Sequence, residues 1–208
     1  MPVPDRIEAA SLLLSLSPPT WGIRHARAVA ETAGWLARGV EAHAHCDRRA
    51  VEAAALLHDA DKALPADHPV RRLPHGEGSA AWLAERGHPE LGPLVANHPA
   101  PRLLAEGFER WLADAPIEAA IVAYADKRAG QRLGPMAARF AGWARRHGDQ
   151  GWPPAARELA WRRALRLEVR VCEAAGCAPD DVRRLGWTGP ALRAVAGMRA
   201  VSGPRAAA

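Results

Sequence analysis

In the stretch Val51-Glu52-Ala53-Ala54-Ala55-Leu56-Leu57-His58-Asp59-Ala60-Asp61-Lys62, the residues Val51, Ala54, Ala55 and His58 fall at helical spacing and share one face. The apolar run 53–57 marks that face as inward, and it ends in an imidazole and a carboxylate side by side. Burying a carboxylate without a partner is costly. Two arrangements relieve the cost: a hydrogen-bonded His58–Asp59 pair, or a metal ion that takes both groups. Asp47 is a good cap for this helix, which the pattern carries from 47 to 62.

The same helical period runs outward in both directions. Helices are expected over residues 4–17, 21–44, 75–86, 89–97, 117–128, 135–147 and 153–175, with one or two short ones in 178–198. Thr20, after Pro18-Pro19, reads as the cap of the second helix. Residues 63–74, with Pro65, Pro69 and Pro74, read as loop, and 98–106 as irregular. Residues 117–128 are almost continuously apolar and belong at the centre. The expected fold class is all-α, with one domain over 1–175 and a C-terminal helical extension over 176–208 whose tail, 202–208, frays.

Composition sets outer limits. At 208 residues and 49% hydrophobic, the chain can bury a core and is not a disordered segment. The net charge of +5 and pI near 9.8 suit anionic partners such as phosphate esters, nucleotides or nucleic acid, without choosing among them. Cys46, Cys172 and Cys177 have no metal-type spacing and read as reduced thiols, which points to the cytoplasm. No apolar run approaches the length of a membrane span, so neither export nor insertion is expected.

Two further inward-facing groups join the His58-Asp59 doublet. His25 shares a face with Val29, Ala33 and Leu36; its ordinary reading is a hydrogen-bonded core histidine. Asp126 follows Ile121-Val122-Ala123-Tyr124-Ala125, and its ordinary reading is a salt bridge to arginine. Taken together, His25, His58, Asp59 and Asp126 offer four imidazole and carboxylate ligands, a set suited to a divalent transition metal such as Fe, Mn, Zn or Ni. Lys127 and Arg128 read as solvated, and His88 as surface.

The order His25, Leu56-Leu57-His58-Asp59, Ala125-Asp126 resembles the H…HD…D signature of the HD superfamily of metal-dependent phosphohydrolases. The flanking segments Arg24-His25-Ala26-Arg27, Ala60-Asp61-Lys62, His75-Gly76 and Tyr124-Ala125-Asp126-Lys127 fall in the same order. The resemblance has its core in residues 20–135, reaches to about 175 more loosely, and is nearest to the small bacterial diadenosine tetraphosphate hydrolase-like branch. It implies an HD-domain helical bundle that hydrolyses a phosphate ester or anhydride of a nucleotide or dinucleoside polyphosphate with a metal-bound hydroxide. It also implies a second ion held by His75 and His98, bridged by Asp59, with Lys62 and Arg132 neutralising phosphate. The ordinary readings are a helix cap for His75, a loop histidine for His98 and a C-terminal helix cap for Lys62. Against the branch pattern, the sequence carries Pro99-Ala100-Pro101 and Ala129, departures that bear on the substrate and leave the metal set intact.

Other classes stay open at this point: an HD-type nucleotidase or cyclic phosphodiesterase, a metal- or nucleotide-binding module without turnover, or a nucleic-acid binder. For the last, Trp143, Trp152 and Trp161 interleave with arginines between 139 and 170. Glu158 and Glu168 among those arginines favour a core face backed by a solvated face, so a small phosphorylated partner is the expectation rather than nucleic acid.

Overall fold

The computed structural model describes residues 2–147 and 151–201, so the expected fraying of 202–208 lies outside the described residues. It is all-helical, with no strand among the described residues. Asp5 caps α1 (Arg6–Ser15) through a capping box, accepting from the Ile7 and Glu8 amides while Glu8 accepts from the Asp5 amide. The helix α2 (Thr20–Glu41) starts directly on Thr20; Pro19, in extended conformation, takes the cap position expected for Thr20. Asp47 caps α3 (Arg48–Leu57) as expected, accepting from the Ala50 amide at 2.9 Å.

The single helix expected over 47–62 is broken at the doublet. The His58 ring donates through Nδ1 to the Ala55 carbonyl at 2.8 Å, the acceptor that a continuing helix offers to the Asp59 amide. Asp59 turns to φ −101°, ψ 21°, and a short α4 (Ala60–Ala63) follows. After a 3-10 turn at Pro69–Arg72 comes α5 (Glu77–Glu85), so His75 precedes the helix it was expected to open. The helix expected over 89–97 is split into a 3-10 turn, Pro89–Leu91, and α6 (Gly92–Val95). A 3-10 turn at Ala100–Leu104 lies within the stretch expected to be irregular, and a short α7 (Phe108–Asp114) follows it. Then come α8 (Ile117–Arg128), α9 (Met136–His147), α10 (Pro154–Ala174) and α11 (Thr188–Val201).

Helix α8 is the hub. Every residue from Ala119 to Arg128 is buried, and the helix packs against α2, α3, α6, α9 and α10. Burial of Lys127 and Arg128 corrects the solvated reading. Arg128 donates to the Tyr124 hydroxyl at 2.6 Å and the Pro179 carbonyl at 2.9 Å, and Tyr124 donates to Glu168 at 2.7 Å. His88 is buried as well, with Nδ1 3.5 Å from Glu90, rather than lying at the surface. Two arginines of α10 are spent on the protein: Arg163 donates to the Leu103 and Ala105 carbonyls and Arg170 to those of Leu112 and Ala115. Helix α11 packs on α1 and α2, where buried Glu31 meets Thr188 and Arg184. Among the described residues no helix is long and apolar enough to cross a membrane.

Gly76 fixes how the loop returns to the core. Its φ is +90°, and a Cβ there would stand 2.6 Å from the Ala96 carbonyl oxygen and 2.9 Å from Pro99. Both the left-handed backbone and the close approach require glycine. Gly76→Ala is expected to destabilise the protein by about 3 kcal/mol, the upper part of the range for a strained backbone position. A urea midpoint equal to that of wild type would contradict this reading.

A candidate metal centre

Three parts of the chain bring the sequence-derived groups together. His25 comes from the first turns of α2, His58 and Asp59 from the break after α3, and Asp126 from the last turn of α8. His25 Nε2 lies 3.1 Å from His58 Nε2, 3.6 Å from Asp59 Oδ2 and 3.3 Å from Asp126 Oδ1. His58 Nε2 lies 3.6 Å from Asp59 Oδ1 and 3.9 Å from Asp126 Oδ1. On the other side of Asp59, His75 Nε2 is 3.1 Å and His98 Nε2 is 3.3 Å from Oδ1, and these two nitrogens are 3.1 Å apart. Two ligand groups thus share Asp59: His25, His58 and Asp59, and Asp59, His75 and His98.

All four rings are oriented alike. His25 donates through Nδ1 to the Gly130 carbonyl at 2.7 Å, His58 to Ala55 at 2.8 Å, and His98 to Val95 at 2.7 Å. His75 donates through Nδ1 to the Asp61 carboxylate at 2.9 Å. Each ring therefore keeps its proton on Nδ1 and turns Nε2 inward, as ligating histidines with an oriented outer nitrogen do. With all rings neutral, lone pairs would face each other at 3.1 Å in both His–His pairs. Each pair therefore calls for one positive charge between its members.

The electrostatics show how the cluster meets that need with protons. Burial drives His58 down to about 3, and it lowers His98 too despite the nearby Asp59. For His25 and His75 burial also pulls downward, but their carboxylate partners win. His25 is raised by its hydrogen bond to Asp126 and by the charges of Asp126 and Asp59. His75 is raised by hydrogen bonds to Asp59 and Asp61. One ring of each pair thus favours the proton and the other accepts from it. Asp59 and Asp126 are held well below the usual carboxylate range: burial would raise them, but the histidines, with Lys62 for Asp59 and Lys127 for Asp126, outweigh it. Asp59 Oδ1 is buried, with Lys62 Nζ 2.9 Å away as an ion pair.

Lys62 reaches Asp59 across the helix break rather than along one helix face, with Nζ also 3.0 Å from Oδ2. Arg132 is exposed in the turn after α8, and no described residue pairs with its guanidinium; its carbonyl accepts from the Gly130 amide. Three groups escaped the sequence reading. Asp61, buried, accepts from both His75 and the Gly76 amide. Lys127 is 3.1 Å from Asp126 Oδ2 and donates to the His98 carbonyl, linking two ligands. Arg139 of α9, partly exposed, lies 3.4 Å from Asp126 Oδ1. The second acid of His58-Asp59-Ala60-Asp61 and the His75-Gly76 pair were the available signals for Asp61; Arg139 had none.

Comparison with protein families finds the HD domain over residues 22–130, which spans all six residues of the cluster. No curated protein and no solved structure matches the chain.

Proposed function

The chain belongs to the HD domain family, made up mostly of metal-dependent phosphohydrolases, and from that premise we propose that it hydrolyses phosphate esters or anhydrides with divalent metal held at the cluster around Asp59. One observation carries the reading: four Nε2 atoms, each oriented from behind, converge on two carboxylates with Asp59 shared. The donor set of imidazole and carboxylate fits Fe, Mn, Zn or Ni. His25, His58, Asp59 and Asp126 would hold one ion, and Asp59, His75 and His98 a second. Metal bound there supplies Lewis-acid polarisation of a phosphoryl oxygen and activation of water near neutral pH.

The chain's own residues do the rest. Gly130, Ala55, Val95 and Asp61 fix the rings so that their basic nitrogens face inward. Lys62, nearly half exposed beside Asp59, and Arg139, beside Asp126, flank the centre with cations for phosphate oxygens. Arg132, exposed and unpaired among the described residues, is available to an incoming anion. The resemblance to the diadenosine tetraphosphate hydrolase-like branch makes a nucleotide or dinucleoside polyphosphate the substrate of choice. The test is a phosphate-release screen of the metal-reconstituted protein over nucleotides, cyclic nucleotides and dinucleoside polyphosphates. Metal-dependent release from at least one is expected; a fully reconstituted protein inert to all of them contradicts the proposal.

Metal affinity should depend on pH with a defined sign. His25 and His75 have raised pKa values, so they keep their ring protons to higher pH than free histidine, and metal must displace them. Affinity should rise with pH through that titration, with protons released from His25 and His75. His58 and His98, lowered, contribute none near neutrality. Calorimetry in buffers of different ionisation enthalpy reads the proton count directly. Affinity that stays constant from about pH 5 to 8, across the ordinary histidine range, would count against the ligand set.

A further inference from the structure

Resting on the phosphohydrolase reading, we propose that the cleft between α9 and the start of α10 seats a planar aromatic ring of the substrate, so that the preferred ester is one like a purine nucleoside 5′-phosphate. A cavity of about 50 Å³ is lined by Asp126, Lys127, Arg139, Phe140, Trp143 and Trp152. Its inner end is therefore a wall of the metal centre. Phe140, Trp143 and Trp152 also line an adjoining cavity of about 300 Å³ that extends to Trp161. The two spaces share these three rings, and Asp126 lines the inner one.

The shared walls of the two spaces are flat and aromatic. Trp143 and Trp152 lie with ring centroids 4.3 Å apart at 50°, and Phe140 meets Trp161 edge-on at 5.2 Å. All four rings are partly exposed around the open space. Ligand sites have this make-up: aromatic walls with a few polar groups placed at one end. Here the polar end carries Arg139, 3.4 Å from a carboxylate of the centre. A ligand that satisfies both ends has an anionic group for the centre and Arg139, joined through a short spacer to a ring that stacks on tryptophan. A nucleoside phosphate has that shape, and a simple sugar phosphate lacks the ring. Of the interleaved Trp and Arg noted in the sequence, Trp143, Trp152 and Arg139 thus serve a small molecule beside the metal site.

The probes are adenosine 5′-monophosphate and ribose 5-phosphate, which present the same ester with and without a base. Both kcat/KM and the equilibrium dissociation constant, by calorimetry, are measured on the metal-reconstituted wild type, Trp152→Ala and Trp152→Phe, with melting temperatures to confirm folding. Wild type is expected to favour the nucleotide by about 10- to 100-fold, as for one base stacked on an aromatic side chain. That preference should collapse in Trp152→Ala and largely return in Trp152→Phe, in binding as well as in turnover. Equal binding of the two phosphates by wild type, or a preference unchanged in folded Trp152→Ala, overturns the proposal. Selective binding without any turnover would uphold the cleft and overturn the hydrolase reading. Turnover of both phosphates without preference would do the reverse.

Discussion

Asp59→Ala should reduce hydrolysis of every phosphate substrate by more than about three powers of ten, beyond the loss of one charge-stabilising donor. Its carboxylate is the group common to both ligand sets among the described residues. Oδ1 is 3.1 Å from His75 Nε2 and 3.3 Å from His98 Nε2, while Oδ2 is 3.6 Å from His25 Nε2. Without it the His75–His98 pair loses the carboxylate that both Nε2 atoms face, and both metal positions lose a ligand. The helices should survive, because Asp59 sits at the break between α3 and α4 and bonds no helix end through its side chain. Turnover, metal content and far-ultraviolet circular dichroism on the same preparation decide the matter. Wild-type turnover in Asp59→Ala would remove the cluster from the chemistry.

Lys62→Ala should separate charge stabilisation from metal binding. The ammonium lies 2.9 and 3.0 Å from the two oxygens of Asp59 and is 45% exposed, so it can face a bound anion. It is no metal ligand, and the imidazoles around Asp59 do not depend on it. Metal content should therefore persist while kcat falls by about two to three powers of ten, as when one preorganised donor is removed. If metal is lost in parallel with activity, Lys62 is a support for Asp59 rather than a phosphate contact. If kcat is unchanged, it has neither role.

The helical class and four residues of the cluster, His25, His58, Asp59 and Asp126, were legible from spacing, while His75 and His98 came from the resemblance to the HD superfamily. His25 and Asp126 sit on long apolar helices, where periodicity fixes the inward face, and the doublet closes a run of alanine and leucine. The short elements were harder. The break at Asp59 depends on a ring nitrogen taking a helix carbonyl, which no propensity records. Helices α4, α6 and α7 each have fewer than eight residues, too few for a helical period to stand out. Lys127 looked solvated because lysine usually is; it is buried because Asp126 and the His98 carbonyl accept hydrogen bonds from its ammonium. Arg139 could not be placed, because the turn over 129–135 decides which face of α9 meets Asp126, and that turn has no helical period.

The most direct measurement is the metal stoichiometry of the reconstituted chain, wild type beside a His75→Ala/His98→Ala variant and an Asp126→Ala variant. The account predicts two ions per chain in wild type. The double histidine variant should retain only the ion at His25, His58, Asp59 and Asp126, and Asp126→Ala should weaken that ion while leaving the other. A folded wild-type chain that takes up no divalent ion, or a stoichiometry indifferent to all three substitutions, would contradict it.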